Sequence, residues 1–340
     1  MIRSIMTRRV GTLLLFFLVL AHAAGGQEVK IAELDWDGAR AIQSVLKHVL
    51  ENQLGVPVVM VPQQAETLLS AMDRGEIDVF PDLWLPAQAT GFARYIAPGS
   101  KESILVNAQP YPGTEGFYVP AYVIEQHGVT AVSDLAKPEI AKLFDSDGDG
   151  RGEYWPGPEG WSATAVHRAK ARSYGFAGSF TESNLPEAAF KKEVREAFRT
   201  QRPIVFYGWT PDGVHASLDL RPLSEPAFDG FAMASMRDDP KYKADGCWNM
   251  VMPSDDADWL NKSRVRCASP PSTVYVAYTK ALAQRSPDVA RFLNRVRFDG
   301  ELISGWIVLL SDYGMTPDEV AKNWVEGNLA TVGEWLGGGR

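Results

Sequence analysis

Catalytic signatures are scarce in this chain. It has five histidines in 340 residues (His22, His48, His127, His167 and His215), and no two stand at a metal-ligand spacing. Neither a Gly-x-Ser-x-Gly elbow nor a Gly-Lys-Ser/Thr phosphate loop occurs, so the common local signatures of serine hydrolases and P-loop enzymes are missing. "GDGRG" at 148–152 has the outline of a dinucleotide turn, but its acidic neighbours would repel a pyrophosphate. Positive charge is also short: 34 Lys and Arg against 42 Asp and Glu leave a formal charge of −8, which argues against a nucleic-acid partner. No apolar run after residue 20 approaches the roughly 20 residues of a membrane helix.

Cysteine is nearly absent, and its placement is informative. Arg3, Arg8 and Arg9 precede the apolar run "GTLLLFFLVL" and the small residues Ala21-His22-Ala23, the pattern of a signal peptide over residues 1–23. The twin arginines of "TRRVG" lack the apolar residue usually expected soon after them. No cysteine lies near the cleavage point, so a soluble exported chain is expected, and loss of three arginines makes it more acidic still. Cys247 and Cys267 fall in one late segment, and in an oxidising compartment a bridge between them is expected.

With 45% hydrophobic residues the chain can bury a large core or form two lobes. "VKIAEL" reads as a buried strand. The following helix places Ile42, Val45, Leu46, Val49 and Leu50 on one face and stops at Gly55. "VPVVMVP", "AETLLSAMDRG" and "IDVFPDLW" continue as strand, helix and strand, and the alternation restarts with helix "EAAFKKEVREAFRTQ" and strand "PIVFYGW". Such alternation implies open, mainly parallel sheets flanked by helices, with ligands beyond the carboxyl ends of the strands. Residues 228–270, rich in Asp, Ser and Pro, read as a stapled insertion. After it come strand "STVYVAYTK", a helix with Ser286 as cap and Pro287 in its first turn, and another with Thr316 and Glu319 as capping box and Gly327 beyond its end.

Two groups of side chains carry chemistry. In "DSDGDGRGE", Asp145, Asp147 and Asp149 take positions 1, 3 and 5 of a calcium loop, Gly150 makes the turn, Arg151 offers its carbonyl and Glu153 stands at position 9. Pro156 replaces the usual glutamate at position 12, where Glu159 could substitute, and a solvated acidic turn is the competing reading. The second group is aromatic. Trp306, Trp324 and Trp335 suit the core of the C-terminal region, and Trp248 and Trp259 suit packing near the cysteines. Trp36, Trp84 and Trp209 follow or end strands, and Trp161 sits in the turn "WPGPEGWSATA". Several indole faces around one cavity suit a quaternary ammonium, which has no N–H to donate and is attracted to aromatic faces, at roughly 0.5–2 kcal/mol per contact. An exported carbohydrate-binding protein or hydrolase using cleft carboxylates is the competing class.

The motifs "DVFPDLWLP", "AKLFDSDGDG", "EGWSATA" and "VFYGWTP", in this order and spacing, resemble the glycine betaine/proline betaine-binding proteins of ABC importers over essentially the whole mature chain. The resemblance implies a non-catalytic α/β, two-lobed periplasmic binding protein of type II. One lobe would be 28–118 with 222–340, the other 119–221. It further implies a periplasmic protein that delivers its ligand to an inner-membrane ABC permease and ATPase; a monomer is expected, with no cofactor beyond the structural Ca²⁺ that the acidic loop suggests. By motif match, Trp84, Trp161 and Trp209 form the cage and the Ser162 and Ala163 amides hold a ligand carboxylate. Two departures bear on the ligand: Trp36 adds a fourth wall, and Glu115 in "PGTEGFYV" can oppose a positive charge. The candidate ligands are glycine betaine or proline betaine, carnitine, choline and trimethylamine N-oxide, and four walls with an acid favour the last two.

Overall fold

The computed structural model describes residues 28–338; the signal peptide expected over 1–23 lies outside them. The strands are β1 (Val29–Glu33), β2 (Val58–Pro62), β3 (Val79–Leu85), β4 (Ile104–Val106), β5 (Tyr111–Pro120), β6 (Gly152–Trp155), β7 (Phe180–Glu182), β8 (Val205–Thr210), β9 (Leu220–Pro222), β10 (Trp248–Asn249), β11 (Arg264–Val265) and β12 (Ser272–Thr279). Ten of them make one curled sheet in the order β2-β1-β3-β12-β5-β8-β6-β7, with β4 on β12 and β9 on β5. Each end of the sheet is a parallel set: β1 pairs parallel with β2 and β3, and β6 with β7 and β8. Antiparallel β12 and β5 join the two sets, Tyr111–Gly113 pairing with β12 and Thr114–Tyr118 with β8. Helices cover both ends, the mixed α/β arrangement that the strand–helix alternation implies.

The first core follows from the apolar stripe of the helix Asp37–Asn52. Ile42, Val45, Leu46, Val49 and Leu50 are fully buried against β1, β3 and β12. The chain leaves this helix through Gly55, at φ 64°, a left-handed conformation that glycine adopts without steric cost. The helix Pro317–Gly327 closes the same core and carries the expected Thr316–Glu319 capping box; Gly327 is its last residue, not the one beyond it. Ser286 precedes the helix Pro287–Arg295 but makes no side-chain cap bond. Trp306, Trp324 and Trp335 pack on one another in this core.

Cys247 and Cys267 form the expected disulfide. It staples the segment carrying the separate β10–β11 pair, where buried Trp248 and partly buried Trp259 pack in a cluster with Met233, Met250 and Val265. Among the described residues no helix is long and apolar enough to cross a membrane.

One irregularity bears on function. On β3, Leu83 pairs with Tyr275 and Phe80 with Ala277, so Pro81 and Asp82 lie opposite one residue of β12. Proline cannot donate to a ladder, and a bulge is where an inner strand tolerates it. The bulge therefore sits at the one carboxylate of an otherwise apolar strand.

Candidate functional site

The four tryptophans reach the site by two local routes. Trp84 and Trp209 each stand one residue before the end of a strand, β3 and β8. Trp36 and Trp161 each occupy the N-cap of a helix, Asp37–Asn52 and Ser162–Ser173, with extended backbone and no side-chain cap bond. That position favours Ser, Thr, Asp or Asn, whose replacement typically costs about 1 kcal/mol. Both helices forgo that gain and present an indole instead, the kind of local cost that clusters at functional sites.

These rings converge. Trp36 meets Trp161 edge-on at 5.4 Å between ring centroids, and Trp161 meets Trp209 edge-on at 5.5 Å. Trp84 packs edge-on against Tyr111 at 6.2 Å. Its ring lies so close to β5 that a Cβ at Gly113 would fall 2.5 Å from Trp84 Cζ3 and 3.0 Å from the Thr210 carbonyl. Glycine is thus required there. The cavity between the rings has a volume of about 40 Å³, space for a few waters or one compact group. All seven residues expected at the site line it: Trp36, Trp84, Glu115, Trp161, Ser162, Ala163 and Trp209. Phe80, Asp82, Gln88 and Tyr207 line it as well, and no Lys or Arg does. A wider, more polar groove of about 1120 Å³ adjoins it and shares Trp36, Ala65 and Trp161.

Carboxylates hold the ring edges. Asp82, 1% exposed, accepts the Trp36 indole N–H on Oδ2 at 2.6 Å, the Trp84 indole N–H on the same oxygen at 3.0 Å, and the Tyr111 hydroxyl on Oδ1. Trp161 donates its indole N–H to Asp35 Oδ1 at 2.7 Å. With its N–H bound to an anion, an indole keeps its negative face free. Burial pushes the Asp82 carboxyl above the usual range, and its three donors pull it back. Glu115 lies directly across from Trp209 in the β5–β8 register. It accepts from the Tyr207 hydroxyl at 2.9 Å and the Ser272 hydroxyl at 3.0 Å. Burial raises its carboxyl too, against those two donors and the positive charge of Lys170.

At the start of the helix Ser162–Ser173, the Ser162 and Ala163 amides are first-turn donors without an intrahelical acceptor. Gln88 orients the turn by donating to the Ala65 carbonyl at 2.7 Å and to the Ser162 hydroxyl. Behind these rings Trp155 stacks on Phe190 at 3.8 Å and meets Trp161 and Trp209, each at about 6 Å. Sequence reasoning passed over Asp82, Tyr207, Gln88 and Trp155. A legible signal for Asp82 existed: it stands two residues before Trp84, on the same strand face, as the lone charge in an apolar strand, and a buried charge needs donors.

The acidic loop gathers a separate cluster of carboxylates. Asp145, Asp147, Asp149 and Glu153 each bring one carboxylate oxygen within 4.8 Å of the others. Backbone amides hold the loop in shape: Gly148 and Gly150 donate to Asp145, Asp149 to Asp147, Arg151 to Asp149 and Ser146 to Glu153. The buried Oε1 of Glu153 has no partner. A convergent set of hard oxygens with one orphaned acceptor fits a calcium ion. Glu159 does not complete the set; it pairs with Arg168 at 2.8 Å. The Arg151 guanidinium bonds Thr181 and the Gly178 and Phe180 carbonyls, which anchors the loop to β7.

The family described as the substrate-binding domain of the ABC-type glycine betaine transport system matches residues 27–327, and the chain belongs to it. Members of this family bind substrates for transport and are not enzymes. The glycine betaine/proline betaine-binding periplasmic protein of Escherichia coli strain K12 is 22% identical over 239 residues, which cover 69% of this chain and 66% of that protein. Among solved structures, an ABC-transporter choline-binding protein in complex with choline has a TM-score of 0.67 at 17% identity, covering 92% of each chain. Lactococcal OpuAC, closed on glycine betaine, has a TM-score of 0.65 at 17% identity, covering 91% of this chain and 99% of its own. These likenesses establish the fold as that of a type II periplasmic binding protein.

Asp82 offers a direct test of how the cavity is held. Asp82→Ala would strand two buried donors and the partly buried Trp84 N–H, the buried ones costing about 1–3 kcal/mol each when unpaired. Denaturant unfolding should therefore show a loss of about 3 kcal/mol or more, and a smaller loss for Asp82→Asn, which keeps one acceptor. A loss below about 1 kcal/mol for Asp82→Ala would contradict the assignment.

Proposed function

We propose that this chain is the extracytoplasmic substrate-binding component of an ABC importer for a small methylated ammonium osmolyte. The observation that carries the reading is the cavity walled by Trp36, Trp84, Trp161 and Trp209, with Glu115 and Asp82 on its lining and no cationic side chain. A trimethylammonium head would lie among the indole faces, each worth roughly 0.5–2 kcal/mol, and Glu115 would complement its charge. The Ser162 and Ala163 amides would receive the ligand's oxygen at a helix N-terminus, which favours negative or partly negative groups.

The charge balance narrows the ligand. A betaine would bring its own carboxylate into a cavity that already holds two carboxyl groups and no Lys or Arg. Choline and trimethylamine N-oxide bring a hydroxyl or an N-oxide oxygen instead, and are compact enough for the small cavity. These two are therefore preferred over glycine betaine, proline betaine and carnitine. The relatives named for glycine betaine and choline support the class of ligand, and the family supports a permease and ATPase as partners. Two lobes, 28–118 with 222–340 and 119–221, would close over the ligand in the periplasm.

Calcium is the second part of the proposal. Asp145, Asp147, Asp149 and Glu153 would hold one Ca²⁺ with the Arg151 carbonyl, offsetting half the charge of four crowded acids and fixing the loop at the start of β6. Its role would be structural.

Titration of the purified protein, followed by tryptophan fluorescence, should saturate with choline or trimethylamine N-oxide more tightly than with glycine betaine or carnitine. Trp209→Ala should weaken binding several-fold to about thirtyfold, the equivalent of one lost aromatic contact. Absence of saturable binding to all four compounds would contradict the reading. For the loop, Ca²⁺ at a hundredfold excess over its dissociation constant should add about 2.7 kcal/mol of stability, and Asp147→Asn should remove most of that gain. A melting temperature indifferent to Ca²⁺ and to chelator would refute the metal.

A further inference from the structure

Below the cage lies a buried charge cluster that the binding reading does not use. Lys191, on the helix Glu187–Thr200, places its Nζ 3.0 Å from Asp37 Oδ2, 2.6 Å from Glu187 Oε1 and 2.7 Å from Asp212 Oδ2. All four side chains are about nine-tenths or more buried. Glu187 in turn accepts the backbone N–H of Asp37 on Oε2 at 3.0 Å, across 150 residues of sequence. Asp37 is the first residue of the helix Asp37–Asn52, whose N-cap Trp36 contributes no side-chain bond. That helix is thus capped by a glutamate belonging to the opposite end of the sheet, while its own aspartate returns an ion pair.

The three residues Asp35-Trp36-Asp37 then act as a unit. Asp35 takes the indole N–H of Trp161, Trp36 meets the ring of Trp161, and Asp37 engages Lys191 and Glu187. Every one of these partners lies between residues 119 and 221. We propose that Asp37, Glu187 and Lys191 form a reciprocal clasp that holds the two lobes shut over the ligand, making them positioning residues for binding, with Asp35 as its outer contact. The inference rests on the two-lobe binding reading above and adds to it where the energy of closure resides.

The physical basis is an asymmetry between open and closed states. In an open form Asp37, its amide, and the Glu187 and Lys191 side chains would be hydrated. In the closed form they exchange water for one another in a dry site. Such a pair gains little net energy when complete, but removal of one partner leaves the others buried and uncompensated. Loss of Asp37 should therefore penalise the closed state alone. Lys191 keeps Glu187 and Asp212 on its own side, so the ligand-free fold should be little affected. Truncation of a buried charged partner acts mainly on dissociation.

Stopped-flow tryptophan fluorescence with choline or trimethylamine N-oxide, on the wild type, Asp37→Asn and Glu187→Gln, tests this. Expected is a dissociation rate raised about tenfold or more in both variants, an association rate within about twofold of wild type, and, for Asp37→Asn, which leaves Lys191 its same-side partners, an unchanged melting temperature without ligand. A wild type that binds, with variants that dissociate at its rate, overturns the clasp and leaves the cage standing. A melting temperature lowered in ligand-free Asp37→Asn overturns it as well, because Asp37 would then stabilise the fold rather than closure. If the wild type binds none of the four compounds, the cage fails separately, and small-angle scattering of the ligand-free proteins decides the clasp. A larger radius of gyration for Asp37→Asn supports it, and equal radii overturn it.

Discussion

The geometry of the cavity depends on a buried carboxylate that takes the polar edges of its aromatic walls. Asp82 accepts two indole N–H groups and one phenol O–H in a site almost without solvent. An indole is amphipathic: its N–H demands a partner when buried, and its face attracts positive charge. Satisfying the edge with a fixed anion leaves the face as the surface the cavity presents. Asp35 does the same for Trp161. For the ligand proposed above, whose ammonium head has no N–H to donate, the orientations of the rings would already be set before binding.

The rest of the fold supplies positions for those rings. The strand ends of β3 and β8 bring Trp84 and Trp209 to the rim, and two helix N-caps bring Trp36 and Trp161. The bulge at Pro81 and Asp82 lets a proline and a charge occur within an inner strand. β5 runs through both ends of the sheet and carries Gly113, which makes room for Trp84, and Glu115, which faces Trp209. Packing, backbone irregularity and charge thus bear on the same small cavity.

Much of this was legible in the sequence, and the part that was not has a common cause. Strand–helix alternation and the Ile42–Leu50 stripe depend on local periodicity, and both matched the structure. The capping box at Thr316 and Glu319 and the disulfide rest on equally local signals. The tryptophans stood out because their turn contexts were unusual. Asp82 carries a local signal, two residues before Trp84, but its other indole partner, Trp36, lies 46 residues away and gives none. The Asp37–Glu187 contact spans 150 residues, and neither residue has a local signature beyond a helix start. Ser286 shows the reverse error, a residue suited to capping that makes no cap bond; its backbone, at φ −139° and ψ 73°, is not in the extended conformation of the Thr316 cap.

The central claim is that positive charge, and not shape alone, is what the aromatic cavity recognises. Calorimetric titration with choline and with its neutral isostere 3,3-dimethylbutan-1-ol, in which carbon replaces the ammonium nitrogen, measures that difference at nearly constant volume. Four aromatic faces and a carboxylate predict saturable binding of choline and a loss of at least tenfold in affinity for the isostere, or about 1.4 kcal/mol. Equal affinities would contradict the account and reduce the four tryptophans to an apolar pocket.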